Sequence, residues 1–126
     1  MKLLEGVIGL SIEEMQKHPA LIINAFDSNH TVIFWNDRCT EHFKISSEKA
    51  IGKKLEDVLP WVKTDEKVLF IDRALLGKNM QIFNIPYRLK KGFYDQQVYA
   101  VRNEKGAVVA ALNVVEEKFV QTNTPA

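Results

Sequence analysis

Apolar and polar positions between Leu21 and Pro60 follow an order that predicts a hairpin feeding directly into helices. Two apolar runs flank the turn Asp27-Ser28-Asn29-His30, and Asn36 ends the second run where helical spacing begins. Asp27 and Asn29 suit the turn because short polar side chains bond nearby backbone and tolerate unusual φ. Asn36 can accept from the N–H groups that open the next helix, and Gly52 permits a backbone conformation closed to other residues. Upstream, Ser11-Ile12-Glu13-Glu14 forms a capping box, so a short helix runs to His18 and stops before Pro19. Downstream, Lys63 to Gly77 predicts the main helix. Thr64 is its N-cap, Asp65 and Glu66 suit its positive end, and Gly77 suits the left-handed position past its C-terminus. Val68, Ile71 and Leu75 share one face, which Leu69, Phe70 and Leu76 widen.

The last third of the chain reads as a sheet. Met80 to Leu89 is a strand, Lys90-Lys91-Gly92 a turn, Phe93 to Arg102 a second strand, and Asn103 to Gly106 a hairpin turn into Ala107 to Val115. With the first hairpin this predicts an α+β fold, a five-stranded antiparallel sheet with helices packed on one face.

The spaced set Asp27, Asn36, Ile51-Gly52 and Leu59-Pro60 resembles the N-terminal half of a PAS domain, and the order of elements is similar to that family over residues 11–117. One departure is Lys44, where the family often has Gly. The resemblance implies three stretches: an N-terminal segment at 1–10, a PAS-like domain at 11–117, and a polar tail or linker start at 118–126. It also implies a sensory or regulatory module of signal transduction. Such a module would bind a small apolar or aromatic ligand, or contact a partner as a homodimer or with a signalling protein.

Composition narrows this further. The chain has 126 residues, 46% hydrophobic and 26% charged, which is ordinary for one globular domain with its own core. Seventeen basic residues against sixteen acidic ones leave a net charge of +1, without a phosphate-tracking run. Nucleic acid is therefore not an expected partner. No apolar window is long enough to cross a membrane, and the start lacks the pattern of a secretory leader, so the expectation is a cytoplasmic protein without membrane contact.

In the PAS family ligands sit between the long helix and the inner face of the sheet. Strand alternation and the helical stripe put Ile23, Ala25, Val32, Phe34, Phe43, Val58, Leu69, Phe70, Ile82 and Val98 around that space, with Leu59 and Phe83 beside them. The same positions would serve equally as a filled core, so the residues leave cavity and core open. The cofactor is unassigned. The Gly-x-Asn-Cys-Arg-Phe-Leu-Gln run of LOV flavoproteins is absent, since Cys39 lies too early, in Asn36-Asp37-Arg38-Cys39. Haem-binding relatives place a histidine on the long helix, and none stands between Thr64 and Gly77. His18, His30 and His42 read as surface residues, and neither Cys-x-x-Cys nor His-x-x-x-His suggests a metal.

A single cysteine fits a reducing compartment, and Cys39 reads as an inert packing residue despite His42 one helical turn away. Trp35, on the parity opposite Phe34, is expected to face outward over a helix or a partner, and Trp61 borders the loop at the family's cavity entrance. An enzyme is not expected. The alternative would be a cone-shaped fold of the ketosteroid isomerase type, drafting Tyr87, Tyr94, Tyr99 and Asp95, but that fold opens with long helices and this chain opens with a hairpin. Leu3, Leu4, Val7, Ile8 and Leu10 offer a leading apolar segment that would pack across a homodimer. At the other end, Glu116-Glu117-Lys118-Phe119 stands where sensor-kinase PAS domains carry Asp-Ile-Thr, with the carboxylate kept and the Thr missing. The expected output is therefore through a partner in trans or within a longer protein.

Overall fold

A computed structural model describes residues 2–59, 67–87 and 90–118, without the side chains of 67–69. Thr64, Asp65, Glu66 and Trp61 therefore lie outside the described residues. The first hairpin forms as its turn residues dictate. Asp27 Oδ1 accepts from the Asn29 and Thr31 amides at 2.9 and 3.0 Å, and His30 takes the left-handed conformation with φ 63°. This joins β1 (Ile22–Asp27) to β2 (Val32–Trp35). Asn36 caps the helix that follows.

The capping box holds α1 (Ile12–Gln16), and Asn36 starts α2 (Asp37–Phe43). Short helices α3 (Ser47–Ala50) and α4 (Leu55–Val58) lead to α5 (Lys67–Leu75). α5 ends as Gly77 predicts: φ is 96°, Gly77 N donates to Ala74 O at 2.8 Å, and Lys78 N donates to Arg73 O at 2.9 Å. Then come β3 (Met80–Pro86), β4 (Phe93–Arg102) and β5 (Val108–Lys118). The strands form one antiparallel sheet in the order β2-β1-β5-β4-β3. β5 runs past Val115 to Lys118, which brings Glu117 into the sheet opposite Tyr94.

The sheet separates two apolar clusters. On its inner face, under α2 to α5, lie Ile22, Phe26, Val32, Trp35, Ile71 and Val98. On the outer face, Leu4 and Met15 cover Ile23, Ala25, Phe34 and Leu112. The α+β sheet is as the residue pattern predicts, and in addition the N-terminal segment and α1 close the face left open there. The segment expected to pack across a dimer is used within its own chain: Leu4 is fully buried and Val7, Ile8 and Leu10 lie against the outer cluster.

Trp35 corrects its expectation. Its ring is fully buried 5.4 Å from that of Phe43, and Nε1 donates to Ile45 O at 3.0 Å. The cause is an irregularity in β2. Val32 pairs with Phe26 while Phe34 pairs with Ala25, so Ile33 is passed over and Val32 and Trp35 share the inner face.

Candidate ligand-binding site

The inner sheet face toward α5 is built by all five strands, with Ile22 and Phe26 from β1. β4 contributes Val98, and β3 contributes Met80, paired with it, and Ile82, paired with Gln96. Directly paired residues share a face, so Ile82 and Gln96 point the same way. β2 adds Val32, and β5 adds Ala111 and Val115. From the helical side come Phe43, Val58, Phe70 and Ile71.

Three amides interrupt this apolar surface. Asn24 on β1, Asn113 on β5 and Gln96 on β4 are 2%, 9% and 6% exposed. They form a row across adjacent strands: Gln96 Nε2 donates to Asn113 Oδ1 at 2.8 Å, and Asn113 Nδ2 donates to Asn24 Oδ1 at 3.0 Å. Among the described residues Gln96 Oε1, shut away from solvent, has no hydrogen-bond partner. A buried acceptor left so is costly.

At the end of the row nearest Tyr94 sits a charged node. Glu117, whose side chain is 8% exposed, takes Arg38 Nη2 on Oε1 at 2.7 Å and Lys90 Nζ on Oε2 at 3.0 Å. Tyr87 donates its hydroxyl to Oε2, and His42 Nδ1 stands 3.8 Å away. Burial alone would raise the Glu117 carboxyl, but the hydrogen bonds from Tyr87 and Lys90 and the charges of Lys90 and His42 outweigh it and hold it at about 2. Burial, reinforced by Glu117, raises the Tyr87 hydroxyl above its usual value. His42 is lowered, mainly by burial and despite Glu117.

Cys39 is fully buried, its thiol donating to Ile23 O at 3.1 Å, and burial pushes it up to about 12. A thiol held in that protonated form is no nucleophile. Among the described residues no group of three His, Cys, Asp or Glu side chains could hold a metal, and no helix is long and apolar enough to cross a membrane.

A family model described as the PAS fold matches residues 17–117. The chain belongs to the PAS family. PAS domains are typical sensory signalling modules. A sensory box sensor histidine kinase from Vibrio cholerae is similar in structure at TM-score 0.70 and 16% identity, over 87% of this chain and 90% of that one. The PAS domain of the histidine kinase ThkA follows at 0.64 and 15%, covering 77% and 98%. VqmA bound to DPO matches at 0.67 and 14%, covering 84% of this chain and 56% of that chain. VqmA of Vibrio cholera has also been solved in a complex with ligand and DNA. At these identities the likeness is one of fold. Among curated proteins, no sequence matches.

In this PAS domain the expected lining residues divide. Val32, Phe43, Val58, Phe70 and Val98 belong to the inner cluster, and Ile82 shares that face by its pairing. The side chain of Leu69 lies outside the described residues. Ile23, Ala25 and Phe34 are corrected to the outer face, where α1 and Leu4 cover them. Strand β1 is buried on both faces from Ile22 to Phe26, so its apolar alternation carries no sign of which face is inner. Phe83, also expected at the cavity, is 55% exposed.

The residues drafted for an isomerase divide between the two faces of the sheet. Tyr94 follows the parity of Gln96 on the inner side, and Tyr87 lies beside it at 5.0 Å between ring centroids. Asp95 and Tyr99 instead line a groove of about 380 Å³ on the outer face, with Ile8, Leu10, Leu21 and Val114. The histidines have structural partners. His30 Nε2 lies 2.6 Å from Asp72 Oδ1, and His18 Nδ1 accepts from Leu21 N at 2.9 Å. The amide row and the Glu117 node went unread in the sequence. Their signal was Asn24 and Asn113 inside otherwise apolar strands, where Asn is disfavoured.

Proposed function

We propose that this PAS domain is a ligand sensor that lodges a small molecule between α5 and the inner sheet face, against Val32, Phe43, Val58, Phe70, Ile82 and Val98. The observation that carries the reading is the row Gln96–Asn113–Asn24, three buried amides in an apolar layer with one acceptor left over. Packing alone gives no reason to keep such a row, whereas recognition of a polar group on a ligand does. VqmA solved with DPO is a precedent at the level of fold. The ligand acts by binding two states of α5 and the sheet unequally, and the bias is passed on by contact with a second copy or a signalling protein in the cytoplasm.

The test is to denature freshly purified protein after recording its absorption spectrum and to identify released small molecules by mass spectrometry. A defined molecule released at a fixed ratio to protein is the expected result. Protein that is empty, and that stays unshifted in thermal melts across a metabolite library, would leave contact with a partner as its whole function. Phe70→Ala separates the two as well. A sensor loses its ligand, whereas a filled scaffold only loses stability, by about 3–5 kcal/mol.

A further inference from the structure

The buried amides form a directed chain of hydrogen bonds, and its direction decides what the interior can recognise. Asn24 offers Oδ1 to Asn113 Nδ2, and Asn113 offers Oδ1 to Gln96 Nε2. Turning any one amide over would set oxygen against oxygen or N–H against N–H. As the row stands it ends, among the described residues, in a bare acceptor, Gln96 Oε1.

We propose that this acceptor selects the ligand: the interior takes a neutral molecule with an N–H or O–H donor, such as an amide, lactam or hydroxyl-bearing aromatic, which donates to Gln96 Oε1 with its ring against Ile82 and Val98. The inference rests on the ligand-sensing reading and adds the chemistry to it. Neutrality follows from the Glu117 node. Both carboxylate oxygens are engaged, by Arg38 on one and by Tyr87 and Lys90 on the other. Neither the anion nor these cations are left over for an ionised ligand, which would be buried without a counter-charge.

The experiment is an amide-resolved NMR titration of nitrogen-labelled protein with matched probes: benzamide against N,N-dimethylbenzamide, phenol against anisole, and benzoate as the anion. Benzamide and phenol are expected to shift the side-chain amide signals of Gln96 and Asn113 together with backbone signals of β4 and α5. Their methylated partners and benzoate should bind about tenfold more weakly or worse, the penalty for leaving the acceptor unmade. Gln96→Met should bind each pair alike.

Methylated probes or benzoate binding as well as the donors, with shifts still on the inner face, would overturn the selection rule and leave the interior site standing. So would a preference that survives in Gln96→Met. Absence of inner-face shifts with all five probes would overturn both readings. The wild-type comparison decides the matter even where the variant does not fold.

Discussion

Asn36 makes four hydrogen bonds from one buried side chain. Oδ1 accepts from Ile23 N and Cys39 N, and Nδ2 donates to Met15 O and Leu21 O. It caps α2 and ties that helix to α1 and β1, so its loss strands several buried backbone groups at once. Asn36→Ala should therefore cost about 2–4 kcal/mol, more than a helix cap alone, read as a drop in urea-unfolding stability. Lys44 is the opposite case. It ends α2 at φ 60°, a left-handed conformation that penalises any Cβ. Lys44→Gly should raise stability by about 0.5–1 kcal/mol in the same assay, less than the full strain because glycine also loosens the unfolded chain. No stabilisation would mean that the lysine side chain has contacts offsetting the strain.

At the scale of elements, the N-terminal segment is part of the core. Leu4 is fully buried over the outer face, in the cluster that holds Met15, Phe34 and Leu112. Leu4→Ala should destabilise the domain by about 2–5 kcal/mol, because the cavity forms between packed surfaces. Hydrogen exchange should accelerate first in β1 and β5, and unchanged exchange there would show that the segment docks only loosely. A second element contact joins the hairpin turn to α5, where His30 and Asp72 meet at 2.6 Å. That contact links the hairpin to the helix lying over the candidate site.

For the whole molecule, Glu117 gathers α2 through Arg38, the region before β4 through Tyr87 and Lys90, and the end of β5 on which it sits. Its carboxyl falls from an ordinary 4.5 to about 2 in the fold. A lowered carboxylate stabilises the folded state fully above the unfolded value and stops doing so as pH falls through the folded one. The contribution is therefore complete above about pH 4.5 and disappears towards about pH 2. Glu117→Gln should be less stable than wild type at neutral pH, with a shallower fall in urea midpoint across that acid window. Some slope should remain, since Glu14 and Asp95 are lowered too. Parallel acid limbs in the two proteins would show that the node carries no such linkage.

The sequence by itself determined the local structure: the Asp27 turn, the Asn36 cap, the capping box at Ser11, the Gly77 terminus and the order of strands and helices. Each is settled by a few neighbouring residues whose side chains satisfy nearby backbone, which is why periodicity and capping chemistry sufficed. The five-strand count followed because turns stood between the apolar runs. Tertiary structure alone decided which face of β1 is inner, because apolar residues stand on both parities of Ile22 to Phe26 and both faces are covered. It also decided the fate of Trp35, since passing over Ile33 breaks the two-residue alternation from which its direction was read. The amide row joins residues 24, 96 and 113, and the Glu117 node joins 38, 87, 90 and 117. Neither could be read locally, because only the sheet register brings such distant positions side by side.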